Sequence, residues 1–205
     1  MKITVLVEGK TEKAFKPKLL EFLRERLDKR NRPMPNVDFF PCDGRVYKGD
    51  KLCRTVKNLL QNGRTPSDAV IALTDVYTGT DDFKDAADAK QQMREWAGDN
   101  DKFYPHAAQH DFEAWLLPFW EDIQRLAGSN RGVPGGTPES VNHTKPPSYR
   151  IREVFEAGSC RRSYSKPRDA ARILQGKDLA VAAGQCPELK AFLNTILNLS
   201  GAEPL

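Results

Sequence analysis

Val5-Leu6-Val7-Glu8-Gly9-Lys10-Thr11-Glu12 joins an apolar run to a carboxylate, a glycine and the polar start of a helical pattern. Consecutive apolar residues suit a strand covered on both faces, so Lys2 to Val7 is predicted as the first strand of an α/β fold. Glu8 then stands at the carboxyl end of that strand, the edge where open α/β sheets place their chemistry. Outward from this point, Phe15, Leu19, Leu20, Leu23 and Leu27 recur at helical spacing, with Thr11 as the expected N-cap of a helix ending near Asp28. Val37 to Pro41 reads as a second strand, Leu52 to Gln61 as a helix, and Ala69 to Val76 as an apolar third strand. Asp85 to Gly98 reads as a helix, Phe103 to Ala108 as a fourth strand, and Ala114 to Leu126 as an apolar helix opened by Glu113. Strands alternating with helices imply right-handed crossovers and a mostly parallel sheet of about four strands flanked by helices.

After residue 127 the composition turns to glycine, proline, serine and asparagine, which predicts a loop over Gly128 to Tyr149. Short helices are expected at Arg150 to Ala157, Pro167 to Leu174 and Pro187 to Leu199. The expected organisation is therefore an α/β core over 1–127 and a loop with helical extension over 128–205, packed on the core as one structural unit. The 205 residues suffice for one sizeable core. At 39% apolar and 29% charged, the composition is that of a globular chain, and no apolar run approaches the roughly 20 residues of a membrane helix. The first apolar stretch is too short for a signal-peptide core, so a cytosolic location is expected. Cys42, Cys53, Cys160 and Cys186 form no Cys-x-x-Cys pair and are expected as free thiols. A net charge of +4 is compatible with nucleic acid without requiring it.

Three acidic elements can meet at one sheet edge: Glu8, Asp75 at the end of the third strand with Asp81 and Asp82 after it, and Glu113 in His110-Asp111-Phe112-Glu113-Ala114-Trp115. Hard divalent cations take carboxylate and water oxygens, which makes Asp75 the leading metal-ligand candidate. The competing roles are structural. Asp75 and Asp111 can cap a turn or a helix, Asp81 and Asp82 can be solvated acids before the next helix, and Glu113 can be a first-turn helix acid. Glu12 is placed to interact with the positive end of the first helix. Gly9-Lys10-Thr11 suggests a P-loop, yet no glycine stands upstream where that loop requires one. His106 and His110 could join a zinc site with the acids, but they fall on an extended or turning segment and not on a His-Glu-x-x-His helix.

These residues resemble the TOPRIM-like family known as domain of unknown function 4276. The resemblance rests on Val7-Glu8-Gly9 with Thr11-Glu12, Thr74-Asp75-Val76-Tyr77, Gln109-His110-Asp111-Phe112-Glu113-Ala114, Pro147-Ser148-Tyr149-Arg150-Ile151, Tyr164-Ser165-Lys166-Pro167 and Cys186-Pro187-Glu188-Leu189. It implies a Rossmann-like TOPRIM sheet and a relation to OLD-type nucleases, which use a glutamate after the first strand and an Asp-x-Asp after a later one, with magnesium. Glu8 matches that glutamate and Asp75 the first aspartate. Tyr77 stands where the second aspartate belongs, so Asp81 or Glu113 must supply the missing ligand, or the site binds metal weakly.

The implied activity is Mg²⁺- or Mn²⁺-dependent hydrolysis of nucleic acid, with Glu8 as general base or metal ligand and Lys166 steadying the phosphate. Asp75, Asp81 and Glu113 complete the expected metal set. Lys10, Lys145, Arg150 and Arg152 are the expected phosphate contacts along the strand, with Arg161, Arg162 and Arg168 as weaker members of the same basic region. Tyr149 and Tyr164 could stack on bases. Resemblance also implies an ABC- or SMC-like ATPase partner in a bacterial anti-phage system. Two other classes remain open: a non-catalytic module binding the ATPase or nucleic acid, and a small-molecule phosphohydrolase.

Overall fold

A computed structural model of the chain describes residues 1–42, 44–61, 65–76, 82–141, 145–160 and 162–205, with backbone alone for Lys10, Thr11 and Lys13. Four strands, β1 (Lys2–Val7), β2 (Asn36–Pro41), β3 (Ala69–Val76) and β4 (Phe103–Gln109), form one parallel sheet in the order β2-β1-β3-β4. Val5 pairs with Phe39 on one side and Ile71 on the other.

Side chains alternate across a strand, and the two faces bury different partners. Ile3, Val5, Val7, Ile71 and Leu73 pack with Phe15, Leu19 and Leu23 of helix α1 (Lys10–Asp28). Leu6, Val70 and Ala72 pack with Leu52 and Val56 of α2 (Gly49–Gln61) and Met93 and Ala97 of α3 (Ala86–Ala97). Helix α1 starts one residue before the expected Thr11 cap, with Gly9 at the N-cap position, where Glu12 Oε2 accepts the Gly9 N–H at 3.0 Å.

The predicted helix over 114–126 is two elements. Phe112–Phe119 is a run of 3-10 turns, and α4 covers Trp120–Ala127. Pro118 explains the break, since it has no N–H to donate to Ala114 and its ring crowds that carbonyl. The predicted loop contains a 3-10 turn at Pro138–Ser140, and α5 (Pro147–Ala157) begins three residues before the expected Arg150. Then follow α6 (Lys166–Leu174), the unforeseen α7 (Leu179–Ala183) and α8 (Pro187–Leu199). Asp178 accepts the Ala180 N–H at 2.8 Å and starts α7.

The late helices share the core of the α1 face. Phe192 of α8 lies 6.5 Å from the Phe15 ring, 6.0 Å from Trp115 and 5.6 Å from His106 of β4. Glu139 caps α8, accepting the Glu188 N–H at 3.1 Å and the Trp115 Nε1–H at 3.1 Å. The four cysteines stand outside any disulfide, as reduced thiols. Among the described residues, no helix is long and apolar enough to cross a membrane.

Candidate active site

The strand order places a topological switch point between β1 and β3, where successive connections leave in opposite directions and a crevice opens at the carboxyl ends. Glu8 and Asp75 flank this crevice. Thr74 Oγ1 and the Asp75 N–H, the latter at 3.0 Å, both donate to Glu8 Oε1, so β3 fixes the carboxylate that follows β1. The segment after β2 is tied to the same point, because Cys42 N–H donates to the Val7 carbonyl and Gly44 N–H to that of Glu8, each at 2.8 Å.

Asp75 is 5% exposed, and no described residue donates a hydrogen bond to its carboxylate. Burial, and then the fields of Glu8, Glu12, Asp111 and Glu113, hold its pKa well above the ordinary value. Sequence reasoning gave Glu12 only a helix-end role, yet one turn beyond Glu8 it also acts on Asp75. Its spacing of four from Glu8 was the available signal.

Asp111 and Glu113 come from the start of the 3-10 run, whose neighbours Phe112, Ala114, Trp115 and Leu116 are locked in the core. Asp111 occupies the N-cap position without capping its own helix. Its Oδ2 accepts the Ser148 N–H of α5 at 3.1 Å, and its buried Oδ1 has no hydrogen-bond partner among the described residues. Burial raises its pKa, which the bond from Ser148 partly offsets. Glu113 is fully buried and accepts from Tyr164 Oη at 3.3 Å and from Lys166 Nζ at 3.1 Å. Burial and then Asp111 raise its pKa to about 7, against the opposing pull of Lys166. Burial disfavours the charge on Lys166, but Glu113, Asp111 and Asp75 outweigh it and hold its pKa above the ordinary value.

Glu8, Asp75, Glu113 and Lys166 are therefore gathered at one edge. The basic residues expected along a strand are not. Lys145 and Arg150 gather around Glu153 of α5, and Arg152 is exposed on that helix. Arg162 and Arg168 hold the buried Asp169 at 2.7 and 3.0 Å and are structural. Tyr164 is likewise spent on Glu113 and on the Phe155 ring at 5.4 Å, which removes it as a base-stacking platform. Asp81, Tyr77, Arg161 and the Lys10 side chain lie outside the described residues.

The zinc alternative loses His106. Its Nε2 bonds to Thr195 Oγ1 at 2.9 Å, and burial, helped by Lys90 and Arg94, lowers its pKa to about 3. Among the described residues, no three His, Cys, Asp or Glu side chains form a group able to hold a metal ion.

Sequence reasoning missed a basic wall. Arg45 and Lys48, after β2, both pair with Asp82, Lys48 at 2.6 Å. The Lys48 hydrogen bond is the main cause of the lowered pKa of Asp82, which is thus an ion-pair residue and not simply a solvated acid. These groups line a narrow cleft with Glu8, Thr74 and Asp75, walled by Tyr47, Phe83 and Trp96.

No curated protein matches the chain. The structure is similar to the C-terminal region of the Burkholderia pseudomallei OLD protein, at 15% identity and a TM-score of 0.53, covering 97% of this chain and 98% of that one. It also matches the C-terminal region of the Xanthomonas campestris pv. campestris OLD protein, at 12% identity and a TM-score of 0.41, over 95% and 97% of the two chains. At such identity the first likeness is one of fold. Residues 7–197 match the model of the family described as Domain of unknown function (DUF4276), and the chain belongs to that family.

Proposed function

We propose that this protein is a divalent-cation-dependent nuclease that hydrolyses phosphodiester bonds at the β1–β3 edge. The carrying observation is the crowding of Glu8, Glu12, Asp111 and Glu113 around Asp75, whose ionisation they oppose. Such an excess of buried carboxylate is costly without a cation. Among the described residues the carboxylates form no complete three-ligand group, but two of their oxygens are open to one. Asp75 receives no hydrogen bond at its carboxylate from a described residue, and Asp111 Oδ1 is buried without a partner among them. Hard oxygen ligands of this kind suit Mg²⁺ or Mn²⁺.

Glu8 and Asp75 are the residues assigned to hold the ion, with Asp111 and Asp81 as further candidates. When bound, the ion would polarise the phosphoryl group and acidify a water. The protein's own groups do the rest. Glu113, paired with Lys166, is placed to accept the proton of the attacking water, whose oxygen forms the new bond to phosphorus as the bond to the leaving oxygen breaks. The Lys166 ammonium steadies charge developing on the phosphate. Arg45 and Lys48 are proposed as phosphate contacts at the cleft mouth, a role first assigned to Lys10, Lys145, Arg150 and Arg152.

Calorimetric titration with Mg²⁺ or Mn²⁺ tests the reading. Saturable binding in the native chain, lost in Glu8→Gln and Asp75→Asn, should accompany loss of strand cleavage in the same variants. Cleavage retained by a folded Glu8→Gln would sink the assignment. A second reading, a non-catalytic module that docks an ABC- or SMC-like ATPase in an anti-phage system, is favoured by Tyr77 in place of the second aspartate. Absence of metal binding together with co-purification of such an ATPase would select it.

A further inference from the structure

Outside the acidic edge, α4, the segment 131–141 and α5 enclose a cavity of about 230 Å³, lined by Trp120, Arg131, Val141, Arg150, Glu153 and Val154 among others. Its charges do not balance. Glu153 supplies one carboxylate, and among the described residues only Lys145 Nζ donates a hydrogen bond to it, at 3.1 Å. Arg131 and Arg150 approach the other oxygen only to 3.6 and 3.7 Å, beyond hydrogen-bond distance. Among the described residues, buried Arg150 Nε has no hydrogen-bond partner, and neither has buried Glu153 Oε2. Three cations around one carboxylate leave an excess of two positive charges, with guanidinium donors unspent.

A buried donor without an acceptor costs free energy, which an acceptor from outside would recover. Arg131 is held ready for one, because its carbonyl accepts from Trp120 Nε1 at 2.8 Å and from Gln124 Nε2 at 3.0 Å. We propose that this cavity is a phosphate-binding site, in which Arg131 and Arg150 grip a phosphoryl group and Lys145 neutralises Glu153. Planar guanidinium forks match phosphate oxygens in pairs. The volume lies below the roughly 300–1,000 Å³ of drug-sized sites, so it suits a phosphoryl or pyrophosphoryl group better than a whole nucleotide. The group belongs either to a free ion or to the end of a nucleic-acid strand. One helix joins the two sites, since the first turn of α5 holds Asp111 through Ser148 and its second turn lines the cavity. Binding here does not depend on nuclease activity at the acidic edge.

The competing role for the three cations is to satisfy Glu153, and the sign of one substitution separates the two. In a chelator, phosphate and pyrophosphate are titrated into the full chain by calorimetry. Oligonucleotides with and without a 5′-phosphate are followed by anisotropy. Saturable binding of at least one phosphate probe is expected, weakened at least tenfold by Arg131→Gln and by Arg150→Gln. Glu153→Gln, which removes the repelling charge, should tighten it severalfold. Arg131 is half exposed, so its variant keeps the fold even if Arg150→Gln does not. Preference for the 5′-phosphorylated strand identifies a strand end as the source, and equal or better binding of pyrophosphate identifies a free ion. Failure of every probe to bind, binding unchanged in Arg131→Gln, or weaker binding in Glu153→Gln overturns the proposal.

Discussion

Glu113 shows what a single buried acid does to the whole stability profile. Its pKa is raised to about 7, so the folded chain holds this proton more tightly than the unfolded chain, where a glutamate titrates near its ordinary value of 4.5. Between those two values the folded state carries more protons, and the free energy of unfolding falls as pH rises through the window, then levels above it. Asp75 and Asp111, also raised, push in the same direction. The lowered acids Asp82, Asp122, Asp169 and Glu153 act below their ordinary values, at the acid end of the scale. His106, lowered to about 3, adds stability as pH rises towards its ordinary 6.5 and opposes this fall, so the effect is read as a difference between two proteins. Measured in a chelator, the native chain should lose stability relative to Glu113→Gln between pH 5 and pH 7.5 by on the order of 1–3 kcal/mol, a range kept low because Lys166 shares the charge. Parallel Tm profiles for the two proteins would rule the assignment out. Glu8 and Asp75 were readable in the sequence because each ends an apolar strand run, which fixes both edge and direction. Arg45 and Lys48 were not readable, since nothing local shows that the segment after β2 folds back to bond with Val7 and Glu8.

At the scale of elements, the turn before α6 decides whether the site is assembled. Asp169, fully buried, accepts the Ser165 N–H at 2.8 Å, Arg162 Nη1 at 2.7 Å and Arg168 Nη2 at 3.0 Å. Those bonds set the path of Ser163 to Lys166 and thereby bring Tyr164 and Lys166 to Glu113. Removing one partner from a buried ion network costs about 3–5 kcal/mol. Asp169→Ala should lower the denaturant midpoint accordingly, and cation binding should weaken with it although Asp169 touches no candidate ligand. An unchanged midpoint would show the network to be ornamental. The strands were legible because apolar runs of five to eight residues bounded by turn residues have few other readings. The 3-10 run was not, since its apolar pattern fits an α-helix and only Pro118 argues otherwise. Helix α7 is too short at five residues to register as a period.

For the molecule as a whole, the question is whether residues 1–127 hold a core without the rest. The sequence suggested a composition boundary after 127, and the structure runs its main apolar cluster across that boundary. Phe15 and Trp115 on one side contact Phe192 on the other, and Val7 and Leu19 share the cluster with Leu189, Leu193 and Ile196. Burial of large apolar side chains dominates folding free energy, and a domain retains only about 5–15 kcal/mol net. Losing the whole of α8, α6 and the Glu139 cap removes more apolar burial than that margin can absorb. Phe192→Ala alone should cost about 3–5 kcal/mol, read as a lower urea midpoint with the slope unchanged. A chain ended at Ala127 should show no cooperative unfolding transition and should expose apolar surface to a fluorescent dye. A sharp transition in that shortened chain would mean that the sheet and helices α1 to α4 are self-sufficient, and that the late helices serve the site by carrying Lys166 and Ser148 to it.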